Sequence, residues 1–153
     1  MKVIVQRSKK ANVEIEGNIN GQIDYGVVLL VGFTYGDDEK IIDYIADKVV
    51  NLRIFDDENG VMNKSLLDVG GSILSISQFT LYADPNNGRR PSYIKALKGE
   101  EATKLYDLFN KKLASKNVNV QTGIFGADMK VSLINDGPVT IIIEKENKSE
   151  ENK

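Results

Sequence analysis

The stretch GVVLLVGFTYGDDEKIIDYIADKVVNL, residues 26–52, decides the fold class. Val27 to Val31 is the longest apolar run in the chain. A continuous apolar run of that length reads as a strand buried on both faces, and therefore central. From Asp37 the period changes. Ile41, Ile42, Ile45, Ala46, Val49 and Leu52 recur at three- and four-residue spacing, while Asp43, Asp47 and Lys48 fall on the opposite side. That is the pattern of a helix laying one stripe on a core. Asp37 and Asp38 place negative charge at its first turn, where the helix dipole favours it.

On the N-terminal side, Met1 to Arg7 is apolar and β-branched, and Asn12 to Glu16 alternates, so both predict strands. Gly17 to Gly21 predicts a turn before a short strand at Gln22–Ile23. On the C-terminal side, Leu52 to Phe55 is extended and Asp57-Glu58-Asn59-Gly60 is a hairpin signal. Gly70-Gly71 breaks the chain before SILSISQFTLY (72–82), which reads as one strand. ADPNNGRRPS (83–92) is loop. A second helix from about Glu100 to Ala114 carries Ala102, Leu105, Tyr106, Phe109 and Leu113 as its apolar stripe. Strands are predicted at Val118–Thr122 and Lys130–Ile134, and Asp136-Gly137-Pro138 turns into VTIII (139–143). The expected architecture is a single α+β domain over residues 1–145, a mainly antiparallel, barrel-like core with two packed helices. Residues 146–153 are expected to be a disordered polar tail.

The 153 residues include no cysteine, no histidine and no tryptophan. Disulfides, thiol nucleophiles and Ser-His or Cys-His chemistry are thereby excluded. No carboxylate cluster stands out, so neither a metal nor another cofactor is expected. No run approaches the roughly 20 apolar residues of a membrane helix, and MKVIVQRSKK does not read as a signal peptide. A cytoplasmic protein without a membrane partner is expected. The net charge is −2, yet residues 1–10 and 85–98 each carry four cations and no acid. Such stretches suit a phosphate group, but on charge alone a solvated mixed surface is the preferred reading.

Four segments can carry chemistry. In 72–82, period-2 spacing sets Gln78 and Thr80 side by side on one face. Two readings stay open there: ligand positioning at a rigid strand end, or an ordinary strand turning toward solvent. GRRPS (88–92) offers two arginines suited to phosphate. GIFGADM (123–129) offers Phe125 and Met129 to a flat ligand or to the core, and its glycines match no nucleotide fingerprint. NDGPVT (135–140) contains a Gly-Pro pair. Only about one X-Pro bond in twenty is cis, so spacing alone favours a plain turn.

Together SQFTLYAD (77–84), GRRPSY (88–93), TGIFGADM (122–129) and NDGPVT (135–140), with VIVQR (3–7) and NLRIFDDENGVMNKSLLDVGG (51–71), resemble the D-aminoacyl-tRNA deacylase family. The likeness runs in order from about Met1 to Glu144. An intact SQFT resembles the D-specific type and not the relative that edits L-alanine. Ser8-Lys9-Lys10 and Tyr93 stand where Val-Ser-Arg and Phe are usual.

The resemblance implies an ester hydrolase that releases D-amino acids, and glycine, from the 3′ end of tRNA. It implies a homodimer with two sites at the interface. Ser77, Gln78, Phe79 and Thr80 would line the reacting ester. Gly137 and Pro138, joined by a cis bond, would reach in from the other subunit and reject L-residues by main-chain clash. Phe125, Gly126 and Met129 would lie near the terminal adenine. With no histidine to activate Thr80, the tRNA 2′-hydroxyl is the expected helper and Thr80 the alternative nucleophile. The competing reading is a non-catalytic binder of the tRNA acceptor end that uses the basic stretch 88–98.

Overall fold

In the computed structural model, which describes residues 1–147, the chain runs β1 (Lys2–Ser8), β2 (Ala11–Ile15), β3 (Asn18–Ile23), β4 (Gly26–Gly32), α1 (Glu39–Asn51), β5 (Phe55–Asp56), β6 (Met62–Lys64), α2 (Leu66–Val69), β7 (Ser72–Ser77), a 3-10 turn (Phe79–Tyr82), α3 (Gly99–Ala114), β8 (Val120–Thr122), β9 (Lys130–Ser132) and β10 (Asn135–Glu144). The apolar run is central as expected. It forms the middle strand of a five-stranded sheet ordered β10-β1-β4-β7-β8.

The sheet is mixed. β1 pairs antiparallel with both β10 and β4, whereas β4–β7 and β7–β8 are parallel. Parallel neighbours need a long crossover, and α1 and α3 supply it. A short antiparallel sheet, β3-β2-β9, lies against the other face. The α+β class and the two packed helices stand as expected, but the sheets remain open and do not close into a barrel.

Helix α1 begins where Asp38, the residue before it, accepts from the Ile41 amide at 3.1 Å. Its buried stripe and that of α3 cover one sheet face, around Val3, Val5, Val27 and Leu29. Lys112 joins the helices by pairing with Glu39 at 2.9 Å and Asp43 at 3.0 Å. On the opposite face Ala11, Val13 and Ile23 meet Val28, Leu74 and Ile76. This second cover does not reach the β10 edge. Across the row Ile142–Ile4–Leu30–Ile76, set by the strand register, exposure rises from 2% at Ile76 to 65% at Ile142.

Several elements depart from expectation, among them β3, which begins at Asn18 inside the stretch 17–21 expected to turn. A short helix, α2, starts at a capping box in which Ser65 and Asp68 bond each other's backbone amides at 3.1 and 2.9 Å. The strand expected over 72–82 ends at Ser77. At the start of the expected tail the Asn147 side chain donates to the Gly36 carbonyl and to Asp38. Residues 148–153 lie outside the described residues.

Candidate active site

Strand β7 stops because its edge contact with β4 runs out. The Gln78 amide donates to the Val31 carbonyl at 2.7 Å, and the chain then tightens into the 3-10 turn. This turn needs Gly32 beside it. A Cβ on Gly32 would stand 3.0 Å from the Gln78 carbonyl oxygen and 3.1 Å from Leu81 Cβ. Gln78 and Thr80 therefore do not share a strand face. They meet across the turn, where Gln78 Nε2 donates to Thr80 Oγ1 at 2.5 Å. The amides of Phe79 and Thr80 open the turn and have no acceptor within it.

Beside the turn lies a cleft of about 230 Å³. Ser77, Gln78, Phe79, Phe125, Gly126 and Met129 line it, with Ile76, Ala127 and Val131. That volume is below the range of clefts that engulf a drug-sized ligand and fits one flat group. The wall is held from behind by Tyr106 on α3. Its hydroxyl donates to the Ser75 carbonyl at 2.7 Å, and its ring tilts against Phe125 at 5.9 Å between centres. Burial pushes the Tyr106 phenol above its ordinary range, so it remains a donor at neutral pH.

Gly137 and Pro138 stand elsewhere. Between the pairs Gln6–Thr140 and Ser8–Asn135, β1 advances two residues while β10 advances five. The excess loops out as an exposed excursion, and its Gly137–Pro138 bond is cis. The Asn135 side chain closes the excursion by accepting from the Val139 amide at 2.8 Å and donating to Thr140 at 2.9 Å. Arg7 braces it from inside. Its Nε donates to the Asp136 carbonyl at 2.8 Å and its Nη1 to the Ile54 carbonyl at 2.7 Å. Asp56 and Asp136 flank the guanidinium at 3.6 and 3.9 Å.

The register fixes how far apart the two regions are. The excursion lies level with Arg7, hence with Val27 and Ile73, whereas the turn begins after Ser77. Four to five residues along the strands and three strand spacings across them separate the two by roughly 20 Å. Within one chain, then, Ser77, Gln78, Phe79, Phe125, Gly126 and Met129 share a cleft, Thr80 adjoins it through Gln78, and Gly137 and Pro138 are remote. Sequence reasoning singled out neither Arg7 nor Tyr106. The only signal for Arg7 was a cation in phase with Val3 and Val5 on the helix-facing side of β1.

The family model described as D-Tyr-tRNA(Tyr) deacylase matches residues 4–144. The D-aminoacyl-tRNA deacylase of Brevibacillus brevis is 56% identical over 144 residues, 94% of this chain and 99% of that one. The D-aminoacyl-tRNA deacylase of Bacillus cereus is 58% identical with the same coverage. Among solved structures, a protein named c-Myc DNA Unwinding Element Binding Protein is similar with a TM-score of 0.90 and 36% identity, over 96% of this chain and 100% of its own. A "probable eukaryotic D-amino acid tRNA deacylase" has a TM-score of 0.81 at 15% identity, over 93% and 97% of the two chains, a likeness of fold alone.

Proposed function

Because this chain belongs to the D-Tyr-tRNA(Tyr) deacylase family, we propose that it hydrolyses the ester joining a D-amino acid to the 3′-terminal ribose of tRNA, and that it releases glycine in the same way. The observation that carries the reading is the intact SQFT turn closing one end of a cleft walled by Phe125 and Met129. The terminal adenine lies against Phe125, Gly126 and Met129, and the ester lies at Ser77 to Thr80. Water adds to the ester carbonyl carbon, and its oxygen takes up negative charge facing the Phe79 and Thr80 amides. The carbon–oxygen bond to the ribose then breaks. The ribose oxygen leaves with a proton, and the products are free D-amino acid and tRNA.

No histidine stands in the chain, so the neighbouring 2′-hydroxyl of the tRNA orients or activates the water. Thr80 is not the nucleophile in this reading. Its hydroxyl oxygen already accepts from Gln78, and among the described residues no base adjoins it to take its proton.

Selection against L-residues rests on the Gly137 and Pro138 main chain, and the roughly 20 Å separation within one chain supports its delivery by a second copy. The active species is a homodimer with sites at the interface. The apolar row ending at Ile4 and Ile142 supports this arrangement, since among the described residues the β10 edge of that sheet face has no cover. A D-residue directs its side chain to the open side, and glycine has none to direct. An L-residue strikes the rigid main chain, so discrimination comes from a built-in clash. Assay of D-tyrosyl-, L-tyrosyl- and glycyl-tRNA side by side tests the reading. Release of D-tyrosine and glycine with L-tyrosine retained is expected. Binding of all three without release would make the chain an acceptor-end binder.

A further inference from the structure

We propose that the ledge formed by residues 85–98 is the dock for the unpaired nucleotides that precede the terminal adenosine of the tRNA. The proposal rests on the reading above and deepens it. The ledge is built rigidly. Asp84 and Ser92 exchange two backbone bonds of 2.8 Å, and the Leu97 amide donates to the Phe33 carbonyl at 2.9 Å. Thr34 Oγ1 donates to the Lys95 carbonyl at 2.6 Å. Arg89 and Arg90 are thus carried at the tip of a closed loop.

The surface is continuous with the cleft. Phe79 lines the cleft and meets Tyr93 edge-on, with ring centres 5.3 Å apart. The Lys98 ammonium lies 5.0 Å from the Phe79 ring centre and 5.1 Å from that of Tyr93. Both rings remain more than one-third exposed, and Ile94 beyond them is 82% exposed. No acid occurs between Pro85 and Lys98. Among the described residues, Arg89, Arg90 and Lys98 pair with no carboxylate, and Asp84, the acid preceding the stretch, accepts from the Asn86 amide at 2.9 Å. Exposed rings beside unpaired cations make a platform for stacked bases and their phosphates. A ligand seated by its last nucleotide in the cleft has its preceding nucleotides at this ledge. The alternative occupant, a second copy of the chain, fits less well. A two-fold contact centred here would bring like charges together, whereas the Ile142–Ile4 row offers an uncharged face for that purpose.

Two variants, Arg89→Ser/Arg90→Ser and Tyr93→Ala/Lys98→Ala, test the proposal. The first measurement is equilibrium binding of uncharged tRNA across a salt series. The second is cleavage of D-tyrosyl-tRNA against the small ester 3′-O-D-tyrosyladenosine. Expected are about ten-fold weaker tRNA binding for the aromatic–lysine variant and a salt slope shallower by about one for each cation removed. KM for D-tyrosyl-tRNA should rise with kcat held, and cleavage of the adenosine ester should be unchanged. Unaltered tRNA affinity and salt slope would overturn the proposal. So would equal losses on both esters, or variants that sediment as monomers, either of which assigns the ledge to the cleft or to the second copy. The binding arm is independent of catalysis. If the unaltered protein cleaves neither ester, the proposed hydrolysis fails while the dock is still judged by tRNA affinity.

Discussion

In the proposed reading the chemistry does not need the Thr80 hydroxyl, whereas the selectivity does need Arg7. Thr80 is exposed at the turn and, among the described residues, lacks a base. Thr80→Ala should therefore retain near-full kcat on D-tyrosyl-tRNA, while a substrate ending in 2′-deoxyadenosine should be cleaved far more slowly. A Thr80→Ala enzyme reduced to background would restore the nucleophile reading. Arg7 acts at a distance from the ester. It is almost wholly buried and satisfies the carbonyls of Asp136 and Ile54. Charged donors to buried carbonyls contribute roughly 1.5–3 kcal/mol each. Arg7→Met should lower stability by about 2–4 kcal/mol in urea unfolding and narrow the ratio of D- to L-tyrosyl-tRNA cleavage, because the excursion loses its brace. An unchanged ratio would show that Arg7 serves stability alone.

At the scale of elements, α3 and the capped helices carry the testable consequences. Tyr106 ties α3 to β7 and backs Phe125. Tyr106→Phe removes one hydrogen bond, worth about 1 kcal/mol, and should raise KM with kcat little changed. A fall in kcat at constant KM would contradict its place behind the proposed adenine wall. The acceptor bonds of Asp38 to the Ile41 amide and of Asp68 to the Ser65 amide hold both carboxyls below their ordinary range. Depressed carboxyls stabilise the fold above their unfolded pKa of about 4 and lose that contribution as pH falls through the folded values. Asp37 is shifted the other way, chiefly by burial, and opposes the trend. The urea midpoint should drop below about pH 4. Asp38→Asn, which keeps the cap but cannot titrate, should flatten that drop.

The elements also show what could be read from residue order. β4 is legible as an unbroken apolar run of five residues, and α1 by a helical period sustained from Ile41 to Leu52. The alternation predicts β7 five residues too long, because it continues through QFTLY, whereas the strand depends on its neighbour β4 and their pairing ends at Val31–Ser77. The capping box SLLD at 65–68 signals α2 only weakly, since four residues carry no period. The parallel pairing of β7 and β8 is set by crossovers that no local pattern records. NDGPVT read as a turn before a strand, yet it lies within β10 as an excursion, held by Arg7 from β1 and by its own Asn135.

For the whole molecule the decisive fact is distance. The cleft lies at one end of the five-stranded sheet and the Gly137–Pro138 excursion near the other, so in this reading neither chain holds a complete site. A charge set into the uncovered row, Ile142→Lys, should give a monomer by sedimentation that has lost deacylation. The sharper test mixes two inactive proteins. In Ala127→Trp the cleft is filled. In Gly137→Phe the excursion carries a ring where the main chain should face the substrate. If the site is shared, a mixed dimer pairs one intact cleft with one intact excursion. Random re-association of equal amounts should then restore about a quarter of the unaltered D-tyrosyl-tRNA deacylation, because half the dimers are mixed and each has one good site. Recovery to that level is the predicted result; a mixture that forms mixed dimers and stays as inactive as its parents would contradict a site built across two chains.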